Sequence, residues 1–257
     1  MTPPHAPRPP AGRADESSRS GPASHGPGAA SVRARVPLTS QRASRSGDWP
    51  VRRSPPGGGP RTESRRGELV SFRGLSDAHE HIAYVVGPLP EVPLVRVHSE
   101  CFTGDVLGST RCDCGPQLDE ALGRISGEGG VLLYLRQEGR GIGLYNKLDA
   151  YLLQDQHVDT YQANVMIGRQ ADERDYRVAA QMLAALGVRC VRLLTNNPAK
   201  VRRLVAHGVT VVERVPTLTH VTDDNVSYLQ AKRDIGGHRL RSALLSPVNT
   251  GLISPAE

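Results

Sequence analysis

The stretch GEGGVLLYLRQEGRGIGLYNKLDAYLLQ (residues 127–154) changes character twice. Val131–Arg136 is a continuous apolar run of strand length, as a strand covered on both faces requires. Leu144–Asp155 repeats its apolar residues at helical spacing, with Leu144, Leu148, Tyr151 and Leu152 on one stripe. Between them, Arg136-Gln137-Glu138-Gly139-Arg140-Gly141-Ile142-Gly143 forms a Gly- and Arg-rich turn. A strand that passes through a short turn into a helix is half of a strand–helix–strand unit.

The same alternation extends in both directions. Downstream, Asp172–Leu186 reads as a helix with Asp172 as N-cap and Gly187 past its end. Val191–Thr195 reads as a strand, Pro198–His207 as a helix stopped by Gly208, and Val209–Val215 as a further strand. Asp224–Asp234 is a last helix before Gly236-Gly237. Upstream, Glu68–Phe72 and His81–Val86 are β-rich runs around a Gly-Leu-Ser-Asp turn, and Val92–His98 is another strand. Pro116 opens a helix in which Leu118, Ala121, Leu122 and Ile125 share a face. The expected fold over residues 67–240 is α/β, a mixed and partly parallel sheet with flanking helices.

The rest of the chain has a different composition. Residues 1–66 hold 12 of the 20 prolines and 12 arginines against 4 acids, so this segment is +8 and the remainder is −2. The basic character belongs to the N-terminal segment, and the folded part lacks the basic excess of a general nucleic-acid binder. Residues 1–31 contain no large apolar residue after Met1 and are expected to be a disordered tail. Their Arg and Ser content is shared with organelle transit peptides, but the proline density opposes the amphipathic helix these need. Within residues 32–66, VRARVPL (residues 32–38) alternates as a first strand. A Pro/Arg/Gly-rich insertion follows, with Trp49 incidental to it. Residues 241–257 are expected to be a C-terminal tail. No apolar run of about 18 residues exists to span a membrane. There is no secretory signal, and four cysteines are too sparse for a disulfide scaffold, so a cytoplasmic location is expected.

Three of those cysteines, Cys101, Cys112 and Cys114, have the spacing C-x10-C-x-C. Thiolates suit zinc, and three protein ligands leave a position open for water, as catalytic sites do. A bound metal lowers the pKa of its water from about 15.7 to about 7. The plain alternative is three reduced, buried thiols. Cys190 alternates into a strand and is expected in the core. His98-Ser99-Glu100 before Cys101 gives the H-x-E of zinc deaminases, but their P-C-x-x-C is absent. The Gly/Arg turn suits an anion at a helix N-terminus, or is simply a tight turn. Thr195-Asn196-Asn197-Pro198-Ala199-Lys200 suits base or phosphate contacts, or is an N-cap turn with Asn196 or Asn197 capping. Asp172 and Arg174 suit a general base and a phosphate clamp, or are ordinary charges at a helix start.

Taken in order, RVHSECFTGDVLGSTRCDCG (96–115), RQEGRGIGL (136–144), YLLQDQ (151–156), ADERDY (171–176) and LLTNNPAK (193–200) resemble the GTP cyclohydrolase II family. The resemblance implies one zinc per subunit on Cys101, Cys112 and Cys114. It implies GTP contacts at Arg96, Val97, His98, Ser99 and Glu100, at Gln117, at Glu138, Gly139 and Arg140, and at Thr160, Thr195 and Lys200. It places a proton acceptor at Asp172, a nucleophile at Arg174 and a ring-opening tyrosine at Tyr151. The implied reaction opens the guanine imidazole at C8, releases formate and diphosphate, and begins riboflavin synthesis, with Mg²⁺ accompanying the triphosphate and a homodimer as the assembly. Arg174 as nucleophile is chemically awkward, because a guanidinium keeps its proton below about pH 12. A cationic clamp on the α-phosphate is the easier role. Tyr161-Gln162 and Gly108 depart from the family pattern and leave room for a paralogue in a specialised pathway. A zinc deaminase, a non-catalytic GTP-binding protein and a nucleic-acid binder that relies on the basic N-terminus are the competing readings.

Overall fold

The computed structural model describes residues 29–41, 64–156 and 158–240. Most of the expected tail over 1–31, nearly all of the insertion with Trp49, and the tail over 241–257 lie outside them.

Seven strands form one sheet: β1 (Ser31–Ser40), β2 (Arg65–Arg73), β3 (Ile82–Val86), β4 (Leu94–Ser99), β5 (Gly130–Leu135), β6 (Cys190–Leu194) and β7 (Thr210–Val215), in the order β1-β2-β3-β5-β4-β6-β7. The first three strands and β5 pair antiparallel, whereas β5, β4, β6 and β7 run parallel. The mixed, partly parallel sheet read from the sequence is therefore present. Among the described residues six α-helices flank it: α1 (Cys114–Glu128), α2 (Leu144–Gln154), α3 (Thr160–Met166), α4 (Arg177–Ala185), α5 (Pro198–Ala206) and α6 (Val226–Asp234).

Alternation along the strands splits the core in two. Val95, Val97, Val131, Leu133 and Leu135 face α4, against Val178, Ala179, Met182 and Leu183. Leu94 and Leu132 face the other way, onto Leu118, Ala121, Leu122 and Ile125 of α1. Truncating a fully buried leucine such as Leu183 to alanine would cost about 2–5 kcal/mol. Strand β4 lies between β5 and β6: the connection leaving β4 runs to β5 on one side, and the one leaving β5 runs to β6 on the other. A crevice at the carboxyl ends of strands opens at such a switch point, and here it gathers the segments after β4, β5 and β6.

Three of the departures from the sequence reading each place a functional residue. Helix α1 begins at Cys114, two residues before Pro116. Gly115 permits this, since a Cβ there would collide with the Gly104 carbonyl oxygen. Helix α4 begins only at Arg177, with Tyr176 at its N-cap, so Asp172 neither caps it nor lies in it. The Asp172 carboxylate instead accepts the Arg174 N–H (3.2 Å), a local bond that competes with helix formation. The adjoining Glu173 N–H donates to the Arg140 carbonyl (2.9 Å), which draws the segment toward the Gly-rich turn. Helix α3 had no reading at all; seven residues are too few to show a period.

The stripe on α2 is not core in this chain: Leu148 and Leu152 are exposed, and only Ala150 of the helix is buried. Cys190 is half-buried at the start of β6. Among the described residues no helix is long and apolar enough to cross a membrane.

Candidate active site

Chain direction sets up the thiol cluster. Strand β4 ends at Ser99, and a single π-helical turn over Phe102–Val106 follows Cys101. The loop after that turn brings Cys112 back, and the first residue of α1 is Cys114. The three sulfurs lie within 4.8 Å of one another, with Cys101 and Cys112 Sγ 3.6 Å apart. Zn–S bonds of about 2.3 Å in tetrahedral geometry put sulfurs about 3.8 Å apart, so the cluster fits that ion. Gly104 makes room, because a Cβ there would stand 2.9 Å from Cys112 Sγ and 3.1 Å from Cys101 Sγ.

Asp105 braces the turn. Its carboxylate accepts from the Cys101 N–H (3.0 Å) and the Tyr134 hydroxyl (2.9 Å), and pairs with His98 Nε2 (3.1 Å). The thiols divide charge unevenly. Hydrogen bonds from Cys112 and Cys114, with Lys147 Nζ 3.1 Å away, hold Cys101 far below the usual thiol range. The Cys101 sulfur in turn pushes Cys112 up to about 12 and Cys114 well above its ordinary value. Left to themselves, the three thiols favour one shared negative charge. A divalent cation would offset the other two, which is the chemistry a thiolate metal site supplies.

The thiols face a crevice of about 1060 Å³, part of it open to solvent. From β4 and the residue after it come Arg96, His98, Ser99 and Glu100, and from α1 Gln117. The Gly-rich turn adds Glu138, Gly139 and Arg140, α2 adds Tyr151, and Thr160, Arg174, Thr195 and Lys200 complete the expected set within the crevice. Two expected residues do not line it. The Val97 side chain is core, and only its carbonyl serves the site, accepting from Lys200 Nζ (2.7 Å). Asp172 stands behind Arg174, accepting from its Nε and from one of its terminal nitrogens, each at 2.8 Å.

Several of these side chains are already engaged. Glu138 accepts from the Phe102 N–H (2.6 Å) and Lys147 Nζ (2.8 Å), tying the Gly-rich turn to the thiol turn. Glu100 accepts from Arg136 Nε (2.8 Å). Arg96 donates to Gln117 (2.8 Å) and to the Leu194 carbonyl (3.1 Å). Asn197 caps α5 by accepting from the Ala199 N–H (2.9 Å), while Asn196 bridges to Thr217, so Asn197 fills the capping role of that turn.

Arg140 is different. Its backbone sits at φ +62°, between Gly139 at +61° and Gly141 at +95°. Its guanidinium lies 3.8 Å over the Tyr161 ring, and its two terminal nitrogens are buried without a hydrogen-bond partner. A non-glycine residue in the left-handed region, presenting orphaned donors, is a strained arrangement built for a ligand. Lys200 points the same way: burial, then Arg96, Arg174 and Lys232, push its ammonium pKa well below the ordinary value. A buried cation among cations calls for an anion.

Sequence reading missed Lys147, Arg111, Tyr228, Lys232 and His238, which all line the crevice. One signal was available. The chain has only three lysines, and Lys147, Lys200 and Lys232 are all here.

Fold and site together define an α/β protein in which three clustered thiols that could hold a metal ion open onto the same crevice as several cationic side chains. A model of the family described as GTP cyclohydrolase II matches residues 61–216. The GTP cyclohydrolase-2 of Psychromonas ingrahamii is 54% identical over 177 residues, covering 68% of this chain and 88% of that protein. The GTP cyclohydrolase-2 of Vibrio cholerae is likewise 54% identical over 177 residues, 68% of this chain and 89% of that protein. The riboflavin biosynthesis protein RibBA of Bacillus subtilis is 56% identical over 177 residues, 67% of this chain but 44% of that longer protein. The chain belongs to the GTP cyclohydrolase II family of enzymes.

Proposed function

We propose that this enzyme hydrolyses GTP to 2,5-diamino-6-(5-phosphoribosylamino)pyrimidin-4(3H)-one, formate and diphosphate, the first step of riboflavin biosynthesis. The observation that most supports this is the opening of three clustered thiols onto the same crevice as Arg140, Arg174 and Lys200. Cys101, Cys112 and Cys114 would hold one zinc per subunit, which when bound supplies a water nucleophile at neutral pH and polarises the oxygen it faces. Mg²⁺ would accompany the triphosphate, as its hard oxygen preference suits phosphate.

This chain's own residues divide the remaining work. Arg96, His98, Ser99, Glu100 and Gln117 form the wall beside the thiols and would orient the guanine, together with the Val97 carbonyl that fixes Lys200. Glu138, Gly139, Arg140, Thr160, Thr195 and Lys200 would hold the ribose and phosphates. Tyr151 reaches the thiol side, with its hydroxyl 3.2 Å from Thr103 Oγ1. Burial raises its pKa, so it keeps a proton to deliver as the ring opens. Burial alone would raise Asp172, but the Arg174 hydrogen bonds outweigh it and hold the carboxyl low. Arg174 is correspondingly held in its charged form despite burial. A weakly basic carboxylate beside a firmly protonated guanidinium favours Arg174 as a clamp on the α-phosphate over Arg174 as a nucleophile.

A cytoplasmic homodimer that uses neither nucleic acid nor membrane completes the proposal. The open apolar side chains of α2 and α3 (Tyr145, Leu148, Leu152, Val165 and Met166) support the dimer. Tyr151→Phe tests the enzyme assignment: GTP binding should persist while formate release falls at least 100-fold. Formate release unchanged in that variant would remove Tyr151 from the chemistry, and ammonia in place of formate from the unsubstituted enzyme would indicate a deaminase.

A further inference from the structure

The span of the family model ends at residue 216, but the crevice does not: Thr217, Tyr228, Lys232 and His238 also line it. Those last three belong to α6 and the turn that follows it. The segment is fastened to the site at several points. Lys232 Nζ donates to Asp113 Oδ1 (2.6 Å), and Asp113 is fully buried between two of the clustered cysteines. Asp113 Oδ2 accepts from Gln117 (2.6 Å), which in turn accepts from Arg96. Further on, the His238 N–H donates to the Lys232 carbonyl (3.0 Å), and the Arg239 N–H to the Asn196 carbonyl (2.9 Å). At the front, Thr222 Oγ1 donates to the Thr110 carbonyl (2.8 Å) and Thr110 Oγ1 to Asp224 (2.6 Å).

Within this frame the two side chains differ. Lys232 has a carboxylate partner. The His238 imidazole has none among the described residues, and it lines the crevice together with Lys232, Arg174, Lys200 and Arg140. Burial and those four cations keep it neutral in the free crevice. A neutral ring still offers one N–H, and it adds no further positive charge to a site already crowded with it.

We propose that His238 binds the phosphate end of the nucleoside triphosphate, and that the Lys232–Asp113 pair is the strut that places it there. The segment beyond the span of the family model would then be part of the substrate site. This rests on the reading of GTP as substrate.

The test uses the full chain, loaded with zinc, as wild type, His238→Ala and His238→Gln. Equilibrium dialysis measures GTP binding and its displacement by inorganic tripolyphosphate, while metal content and thermal midpoint are checked alongside. His238→Ala should weaken both GTP and tripolyphosphate about tenfold, the scale of one hydrogen bond to a charged group. His238→Gln, which retains an N–H donor, should recover most of that loss. Zinc content and midpoint should not change. Wild-type affinity of His238→Ala for both ligands would overturn the proposal, as would a loss confined to GTP, or a loss accompanied by loss of zinc. The underlying reading is judged separately. Wild-type chain that binds GTP in a His238-dependent way but releases no formate overturns the catalytic reading alone. Wild-type chain that binds no GTP overturns both.

Discussion

Three lysines stand among 29 arginines in this chain, and all three line the candidate site. Arginine is the default cation here, and each lysine brings to the site a compact point charge on a flexible stem. Lys200 shows the consequence most sharply. Its pKa is lowered by burial and by neighbouring cations, so the unfolded chain binds its proton more tightly than the folded one. Stability from this group therefore rises with pH, between its lowered value and the unfolded value near 10.4. Lys200→Met should leave the ligand-free protein at least as stable at pH 7 by thermal unfolding, while GTP affinity falls at least tenfold. A destabilised variant with unchanged affinity would contradict this reading. Asp172 gives a slope of the same sign, but here folding favours the charged form instead of penalising it. Its carboxyl is held low, so its contribution is present above the unfolded pKa near 3.9 and is lost as pH falls through the folded value. Asp172→Asn should flatten the acid limb of the stability profile. It should also cut turnover about 100-fold by releasing Arg174 from its bidentate grip. The residue types of this site were legible in the sequence. Their pairing was not, because Asp172 and Arg174 converge only where the helix expected over them is absent.

At the scale of elements, the site depends on where helices do not form. The Gly-rich turn after β5 is held from two sides. Gly141, at φ +95°, lies against the Glu173 backbone, where an added Cβ would come within 2.9 Å. Gly141→Ala should therefore cost about 1–3 kcal/mol in denaturant unfolding and displace Arg140 along with the turn. On the other side His81, buried, accepts the Arg136 N–H at Nδ1 (2.9 Å) and donates from Nε2 to Asp77 (3.0 Å). That fixes its tautomer and the exit of β5. Periodicity showed the long elements well: β5, α2 and α5 lie within a residue or two of their expected spans. It failed for α3, whose sequence signal is a cap alone: Asp159 Oδ1 accepts from the Tyr161 N–H (2.8 Å) and the Gln162 N–H (3.1 Å). Asp159→Ala should cost about 1 kcal/mol of stability by chemical denaturation.

For the whole molecule, strand order was the least legible feature. Sequence shows which segments are strands, but only packing places β4 between β5 and β6 and so opens the crevice at their carboxyl ends. Family motifs located the walls of the crevice, and they stop before α6, which closes it. The exposed stripe on α2 was readable as amphipathic, yet no partner covers it among the described residues; Leu152 remains 66% exposed. Leu152→Glu should shift the protein toward monomer in sedimentation velocity, and an unchanged dimer would place the interface elsewhere. The central claim, that one crevice performs both ring opening and phosphate cleavage, is tested most directly by product stoichiometry. Zinc-loaded full chain is incubated with GTP and Mg²⁺, and formate, diphosphate and the pyrimidine are measured in the same sample. Equal amounts of all three are predicted; GTP bound with none of them released would contradict the account.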